Sequence, residues 1–282
     1  MIGSGIGSND LERLLAEDVP FGDLTTRSLG ISDRPAVMDF TARADLVVAG
    51  MEVAVGLIRL VGGTVESFAA NGDRVERGTK LLTAAGRADA LHAAWKQAQT
   101  TMEILSGVAT AARAVKTAAC VGGRDVPVAC TRKTLAGSRK LLVGAIVAGG
   151  CIPHRLGLSE TVLVFEEHRR FLPEVTLEEM VRRLRVAAPE KKLVIEVADA
   201  DAAIRAADAG FDVIQMEKFA VAEIERTVDG VRARRPGVVL AAAGGIDPDN
   251  AGPHVAAGAD MLVTSWPYTA RPRDVQVDLR PV

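Results

Sequence analysis

The stretch that decides the fold of this chain runs from Cys130 to Arg170 and reads CTRKTLAGSRKLLVGAIVAGGCIPHRLGLSETVLVFEEHRR. Two apolar runs, at 126–129 and 161–165, are typical of buried strands. The basic segment TRK at 131–133 directly follows the first run, and the His-Arg pair at 154–155 follows a Gly-Gly-Cys-Ile-Pro turn. Cationic groups just beyond strand ends, beside turn glycines, favour a site for an anionic ligand over a solvated loop.

From about residue 120 onward, strand-like and helix-like patterns alternate. The predicted strands are 126–130, 161–165, 193–197, 212–216, 238–242 and 261–265, and the predicted helices are 138–148, 177–187, 200–209, 220–234 and 249–257. Repeated strand–helix units predict parallel strands that are joined by right-handed crossovers. An α/β barrel fits this pattern, although six predicted strands fall short of the usual eight.

Before residue 120 the pattern is that of an α+β domain. Short strands are predicted at 37–41, 45–48, 63–69 and 80–83, with a helix at 51–60. The Asn71-Gly72 pair predicts a hairpin turn. A long helical pattern covers 87–118, and Gly107 within it predicts a break or a domain boundary.

The bulk properties set limits on the class of protein. The chain has 282 residues, of which 48% are apolar, so one barrel-sized domain and a smaller one are expected. The net charge is −2 with both signs interspersed, which argues against nucleic acid or an anionic membrane as a partner. The three cysteines match no metal motif. With no secretion signal at the start and no apolar run of about 20 residues, we expect a cytoplasmic protein.

Several separated motifs resemble the quinolinate phosphoribosyltransferase (nicotinate-nucleotide pyrophosphorylase) family. They are the TRKT segment at 131–134, the HRLGLS segment at 154–159, the apolar strand that ends in EEH at 166–168, and the EDVPFGDLT segment at 17–25. The residues at 153–168 are most similar to the ModD-type branch of that family, the pyrophosphorylases that are encoded beside molybdate transporters.

The resemblance implies a fold and an assembly. It implies an N-terminal α/β sandwich domain at 10–112 and an incomplete, seven-stranded α/β barrel at 113–269 that binds phosphoribose. The tail at 270–282 is expected to return to the first domain. A homodimer or a higher homo-oligomer is also implied, because Lys96 stands where the family has an arginine that reaches the neighbouring subunit's site.

The strand ends of the predicted barrel carry the chemistry, since active sites of parallel barrels lie at the carboxyl ends of the strands. Glu196 and Glu217 stand on successive predicted strands and could share a Mg²⁺ ion. The alternative is that Glu196 is a carboxylate at the edge of the core, paired with Lys133 or Arg155. The Gly-Gly pair at 244–245 precedes a predicted helix and predicts a phosphate cradle.

The resemblance assigns roles residue by residue. The catalytic residues that it implies are Lys133, Glu196 and Glu217, with both glutamates as metal ligands. The substrate-binding residues that it implies are Lys96, Thr131, Arg132, His154, Arg155, Phe165, Ala243, Gly244, Gly245 and Ser265.

Four of these positions depart from the family pattern, and so does Thr269. Glu217 replaces an aspartate, Lys96 an arginine, Ala243 a serine and Thr269 a late histidine. Phe165 stands in place of a lysine, so a dicarboxylate acceptor would lose a cation and face an aromatic ring. The phosphoribosyl half of the expected site is intact, and the acceptor half argues against quinolinate.

Three functions therefore stay open on the sequence. The first is a Mg²⁺-dependent phosphoribosyltransferase of ModD type that uses phosphoribosyl pyrophosphate and an unidentified, small anionic or heterocyclic acceptor, with a link to molybdenum transport. The second is a decarboxylating quinolinate phosphoribosyltransferase of NAD biosynthesis. The third is a non-catalytic protein that binds an oxyanion in molybdate handling through Arg132, His154 and Arg155.

Overall fold

The computed structural model describes residues 5–282. The elements up to residue 118 are α1 (Ser8–Asp18), α2 (Leu24–Ser28), β1 (Pro35–Ala42), β2 (Leu46–Val47), α3 (Met51–Leu60), β3 (Thr64–Ser67), β4 (Arg74–Val75), β5 (Lys80–Arg87) and α4 (Ala88–Ala118). The elements that follow are β6 (Cys120–Val121), β7 (Arg124–Asp125), β8 (Val128–Cys130), α5 (Arg139–Ala148), β9 (Ile152–Pro153), β10 (Val162–Val164), α6 (Glu166–Arg169), α7 (Leu177–Ala187), β11 (Leu193–Val197), α8 (Ala200–Ala209), β12 (Val213–Glu217), α9 (Val221–Arg232), β13 (Val239–Ala243), α10 (Ala251–Ala256), β14 (Met261–Thr264) and β15 (Val275–Pro281).

The chain forms two compact units, and each consists of separate segments. The first unit contains the residues up to Arg113, Thr134–Gly150 and Pro267–Val282, and the second contains Ala114–Lys133 and Cys151–Trp266. The segment Thr134–Gly150, which carries α5, therefore differs from the sequence-based assignment to the barrel domain. Its place has a physical reason, because a Cβ atom on Gly149 would lie 2.4 Å from the Cβ atom of Ala112 in the first unit.

The first unit is built on a four-stranded antiparallel sheet in the order β15-β1-β5-β3. The buried face of β1 carries Met38 and Phe40, and α3 adds Leu57 and Ile58 to the same core. The buried residues of α3 recur at the spacing of an amphipathic helix, which explains why this segment is helical and where it packs; they are Met51, Val53, Ala54, Leu57 and Ile58. The tail strand β15 pairs with β1 from Ala36 to Ala42 and forms one edge of the sheet.

Two features of the first unit differ from the predictions. Strand β3 pairs with β5, while β4 pairs with β2, so the Asn71-Gly72 pair does not close a simple hairpin. Instead, Asn71 Oδ1 accepts a hydrogen bond of 3.0 Å from the backbone N–H of Met51, at the start of α3. Helix α4 also runs unbroken through Gly107. A Cβ atom at Gly107 would lie 2.4 Å from the carbonyl oxygen of Arg271, so this glycine permits close packing.

The second unit is an incomplete barrel of seven parallel strands in the order β10-β11-β12-β13-β14-β8-β9. Helices α7, α8 and α9 connect β10 to β13 through successive parallel crossovers. The predicted fold class is confirmed. The seventh strand, β9, has only two residues and lies in the stretch that the sequence indicated as a turn. In the part of the chain that the structure describes, no helix is both long and apolar enough to cross a membrane.

Candidate active site

The inner face of the seven-stranded sheet sets the positions of the polar side chains, since every second residue of a strand faces the same side. Glu196 of β11 is in register with Gln215 of β12, and Gln215 is in register with Ala241 of β13. Two residues further along β12, Glu217 lies beside Ala243. Both alanines are small, so space remains beside the carboxylates.

These strands surround a cavity of about 670 Å³ at their carboxyl ends, which is the size of a typical small-molecule site. All the predicted site residues except Lys96 line it: Thr131, Arg132, Lys133, His154, Arg155, Phe165, Glu196, Glu217, Ala243, Gly244, Gly245 and Ser265. Residues that were distant along the sequence are therefore brought to one place in the second unit.

The two basic segments begin where neighbouring strands end. The backbone N–H of Thr131 donates to Thr264 O at 2.9 Å, which extends the β8–β14 pairing by one residue. The backbone N–H of His154 donates to Cys130 O at 2.8 Å, which does the same for β9 and β8. Since β8 and β9 are adjacent and parallel, their following residues emerge side by side at the cavity.

The cations of the cavity form no close ion pairs with carboxylates, although the charge of Lys133 opposes the rise that burial causes in the pKa of Glu196. Among residues 5–282, none of Arg132, Lys133 and Arg155 forms an ion pair with a carboxylate within 4.0 Å. Arg155 is only 9% exposed. Burial and the neighbouring Arg132 lower the pKa of Arg155. A buried cation without a carboxylate partner is costly for a protein, so this arrangement favours an anion in the cavity.

His154 adds a polar group whose neutral form is favoured by its surroundings. Burial lowers its pKa, and the positive charges of Arg155 and Arg132 lower it further, against a smaller opposing effect of Glu160. A neutral imidazole can donate one hydrogen bond and accept another. It therefore adds directional hydrogen bonding beside the two arginines.

Phe165 forms an aromatic wall on the same side of the cavity. The guanidinium carbon of Arg155 lies 5.7 Å from the Phe165 ring centroid. The ring of His168 stacks on Phe165 with centroids 5.8 Å apart. The backbone N–H of Phe165 donates to His168 Nδ1 at 3.0 Å, which fixes His168 at the start of α6. Phe165 also packs against the apolar interior of the sheet, so this part of the cavity is apolar.

The cavity also contains two carboxylates, those of Glu196 and Glu217. Burial and the charge of Glu217 raise the pKa of Glu196, and a hydrogen bond from Gln215 opposes the shift. Gln215 Nε2 donates to Glu196 Oε2 at 2.6 Å. In the part of the chain that is described, Glu196 has no ion pair with Lys133 or Arg155, so the alternative of a paired carboxylate at the core edge is not what the structure contains.

The Gly244-Gly245 turn follows β13 and has left-handed backbone conformations, with φ values of 85° and 75°. A Cβ atom at Gly244 would lie 2.8 Å from Glu217 Oε1, whereas one at Gly245 would meet no atom within 4 Å. The predicted helix begins later, at Ala251. Both glycines line the cavity, and no helix begins at this turn.

Lys96 lies on α4 in the first unit. Its Nζ atom donates to Gln99 Oε1 at 3.0 Å and lies 4.6 Å from the Trp95 ring centroid. The role that the resemblance implies for Lys96 requires a second subunit, so it stays a prediction.

The sequence did not single out five further residues that line the cavity. They are Leu163, Glu167, Gln215, Val263 and Thr264. Gln215 carried a signal that could have found it, since it is a single amide in the otherwise apolar run Val213–Met216 of a strand whose neighbour carries Glu196. The two apolar residues had no such signal, because Leu163 and Val263 read as ordinary core residues.

The donor set fits a hard divalent cation that also binds a ligand's phosphate oxygens. Glu196 and Glu217 are close enough for the charge of one to raise the pKa of the other, which a cation between them would relieve. Mg²⁺ is commonly held by one or two carboxylates together with substrate phosphates. No group of three or more His, Cys, Asp or Glu residues suited to a metal occurs in residues 5–282, so a cage made of protein ligands alone is not formed there.

Comparison with known proteins agrees with this geometry. The family model for the quinolinate phosphoribosyl transferase C-terminal domain matches residues 108–278, and the N-terminal domain model matches residues 23–106. The chain belongs to the quinolinate phosphoribosyltransferase family. It is accordingly a phosphoribosyltransferase, an enzyme of the glycosyltransferase type.

Relatives and solved structures of this family cover nearly the whole chain. A protein of Rhodobacter capsulatus that carries the name ModD, with a pyrophosphorylase description, is 44% identical over 88% of this chain and 95% of its own length. A ModD protein of Pasteurella multocida is 36% identical over 95% and 96% of the two chains. The crystal structure of NadC from Streptococcus pyogenes superimposes with a TM-score of 0.88 at 25% identity, covering 97% of this chain and 96% of that one.

Proposed function

We propose that this family member is a Mg²⁺-dependent phosphoribosyltransferase of ModD type that transfers phosphoribose from phosphoribosyl pyrophosphate to a small acceptor other than quinolinate. One observation carries the proposal. Three cations that form no close ion pair with a carboxylate, Arg132, Lys133 and Arg155, share a single cavity with Glu196 and Glu217. Phosphoribosyl pyrophosphate offers phosphates to the first group and ribose hydroxyls to the second.

The reaction needs charge stabilisation more than covalent catalysis. A lone pair of the acceptor forms a bond to C1 of the ribose, the bond from C1 to the pyrophosphate oxygen breaks, and the electron pair leaves with pyrophosphate. Positive charge grows on the ribose ring and negative charge on the leaving group. Lys133 and Arg132 would stabilise the pyrophosphate, and Glu217 would accept hydrogen bonds from the ribose hydroxyls. Preorganised groups of this kind supply much of the rate in such displacements.

Mg²⁺ would be held by Glu196 and Glu217 and, when bound, would supply charge neutralisation for the pyrophosphate. The protein residues would do the remaining work. The N–H groups of the Gly244-Gly245 turn would orient a phosphate, and the apolar wall around Phe165 would exclude water from the acceptor side.

Calorimetry with phosphoribosyl pyrophosphate and Mg²⁺ tests the proposal. We expect micromolar to millimolar binding by the wild type and its loss in a Lys133→Ala, Glu196→Gln double variant. The exposed Lys191→Ala variant is a matched control for the removal of one lysine. If the wild type does not bind, or if the double variant binds equally well, the proposal is wrong.

Two further candidates are kept because specific observations favour them. Membership of the family supports a decarboxylating quinolinate phosphoribosyltransferase with a tolerant pocket. Release of nicotinate mononucleotide and CO₂ from quinolinate would establish it, and a Phe165→Lys variant would be expected to raise that rate. The cluster of Arg132, His154 and Arg155 supports an oxyanion-binding role in molybdate handling. Thermal stabilisation by molybdate without stabilisation by phosphoribosyl pyrophosphate would favour that role.

We also infer a homodimer or higher homo-oligomer in the cytoplasm. Exposed apolar side chains of the first unit, such as Phe21 and Leu24, support self-association. The buried thiol of Cys130 forms no disulfide, which supports a reducing compartment. Light scattering tests the assembly, and a monomer would remove Lys96 from the site.

A further inference from the structure

Gln215 occupies an unusual position for an amide. It lies on the inner face of β12 between Val213, which belongs to the apolar interior, and Glu217 at the strand end. Its side chain is 5% exposed and lines the cavity. Buried amides in native proteins nearly always have partners for both the donor and the acceptor, so each end of this side chain needs an explanation.

The donor end of Gln215 is satisfied by the protein. Nε2 donates to Glu196 Oε2 at 2.6 Å, across the register pair of β11 and β12. This contact fixes the orientation of the amide, because the opposite rotamer would bring the amide oxygen against the carboxylate oxygen. The position of Oε1 is thereby also fixed.

The acceptor end of Gln215 has no protein partner. Oε1 is buried and receives no hydrogen bond within the described part of the chain. The residue in register on the other side, Ala241, has only a methyl group, and Leu163 on the cavity wall is apolar. The donor for Oε1 must therefore come from a molecule in the cavity.

We propose that Gln215 Oε1 accepts a hydrogen bond from the acceptor substrate, and that this substrate is an anionic heteroaromatic ring that carries an N–H, NH₂ or OH donor. The inference rests on the proposed phosphoribosyl transfer and names the class of acceptor. The anionic group of the ring is held by Arg155 and His154. The ring itself lies against the apolar side chains of Phe165 and Leu163, and its donor group faces Gln215.

The position of Gln215 in the sheet places its amide beside the aromatic wall of the acceptor side. Gln215 is in register with Glu196, and Phe165 directly follows Val164, whose register partner Ile195 precedes Glu196. The amide and the aromatic ring thus belong to the same layer. Glu196 lies in this layer too and borders the ribose side of the cavity, whereas the glycine turn and Glu217 lie one layer nearer to the strand ends.

Transfer to such an acceptor forms one bond at C1 of the ribose and breaks another. A ring nitrogen lone pair forms the new N–C1 bond while the C1–O bond to pyrophosphate breaks, and the donor group keeps its proton throughout. No oxidant, reductant or decarboxylation is required.

Binding measurements with matched probes test the inference. We would compare nicotinate with its derivatives that carry one amino group at each free ring carbon. Leaving a buried acceptor unsatisfied lowers affinity by roughly tenfold or more. For the wild type, we therefore expect at least one amino derivative to bind roughly tenfold more tightly than nicotinate.

A Gln215→Met variant removes the acceptor at similar side-chain length. We expect the difference between the two probes to fall to within about threefold in this variant. The matched control is Gln276→Met on the exposed edge of β15, which should keep the full difference. If Gln215→Met does not fold, the comparison of probes with the wild type decides alone.

Each outcome has a defined meaning. Equal binding of nicotinate and all amino derivatives to the wild type overturns the inference, as does a difference that persists in Gln215→Met. A Gln215→Met variant that loses affinity only for phosphoribosyl pyrophosphate also overturns it, because Oε1 would then serve the ribose. Calorimetry of phosphoribosyl pyrophosphate with Mg²⁺ on the wild type is a separate experiment. Absence of binding there would contradict the proposed function, whereas the comparison of probes tests only the Gln215 contact.

Discussion

The substitution Gly244→Ala tests whether the position of the Glu217 carboxylate matters for ligand binding. The new Cβ atom would lie 2.6 Å from Lys218 Cγ and 2.8 Å from Glu217 Oε1. Real Cβ contacts are longer than 3.0 Å, so both side chains have to move. They end in flexible groups, so the displacement is cheap for folding but moves the Glu217 carboxylate.

The magnitudes follow from two separate effects. Gly244 has a φ of 85°, and alanine in this region costs roughly 1–2 kcal/mol of stability. Displacing the Glu217 carboxylate acts on binding, because Mg²⁺ demands near-ideal coordination geometry. We expect the affinity for phosphoribosyl pyrophosphate with Mg²⁺ to fall by roughly tenfold or more, since misplacements of about 1 Å can cost up to about a hundredfold in rate.

Gly245→Ala is the matched control. Gly245 has a φ of 75°, so it suffers the same backbone strain, but its Cβ atom would meet no atom within 4 Å. Denaturant unfolding should therefore give similar losses of stability for the two variants, while calorimetry should give a much larger loss of affinity for Gly244→Ala.

The reasoning is refuted if both variants lose affinity equally, because strain alone would then explain the effect. It is refuted equally if Gly244→Ala binds phosphoribosyl pyrophosphate and Mg²⁺ as tightly as the wild type. In that case Glu217 would not contribute to binding.

Three further predictions concern stability. Burial alone would raise the pKa of Asp39, but hydrogen bonds from Thr83, Lys80 and Arg280 outweigh it and lower the pKa to about 2. The ionised carboxylate therefore contributes about 2 kcal/mol of stability at pH values above the unfolded pKa of about 4. The stability advantage of the wild type over Asp39→Asn in urea unfolding should vanish as the pH falls from 5 towards 2. Lys218 has a φ of 60°, so Lys218→Asn should raise the free energy of unfolding by roughly 0.5–1 kcal/mol, and a lower melting temperature would contradict this. Gly107→Ala should destabilise the protein, because the clash of the new Cβ atom with the backbone of Arg271 outweighs a helix-propensity gain of about 1 kcal/mol. A melting temperature above that of the wild type in calorimetry would show that the clash relaxes.

The polar residues at the strand ends were predictable from the sequence because each basic or acidic group directly follows an apolar run. The small size of Ala241 and Ala243 and the left-handed turn at Gly244 then bring these groups around one cavity. Gln215 was not predicted, because one amide does not change the pattern of an apolar strand; only its position on the strand beside that of Glu196 could have indicated it.

The errors have physical causes that lie outside local sequence. β9 was missed because two residues are too short for any periodicity, and only its pairing with β8 makes it a strand. Asn71-Gly72 indicated a hairpin, yet the pairing of β3 with β5 leaves its residues in a longer connection. At Gly107, helix propensity predicted a break, but the glycine instead permits close packing against a backbone segment more than 160 residues later.

The segmented make-up of the two units limits how this enzyme can be divided. A fragment that ends at Arg113 would lack α5 and β15, so β1 would present an unpaired row of backbone N–H and C=O groups. Open strand edges of this kind recruit other chains. Loss of the last residues of the polypeptide, which are far in sequence from the residues of the cavity, would therefore favour aggregation of the protein.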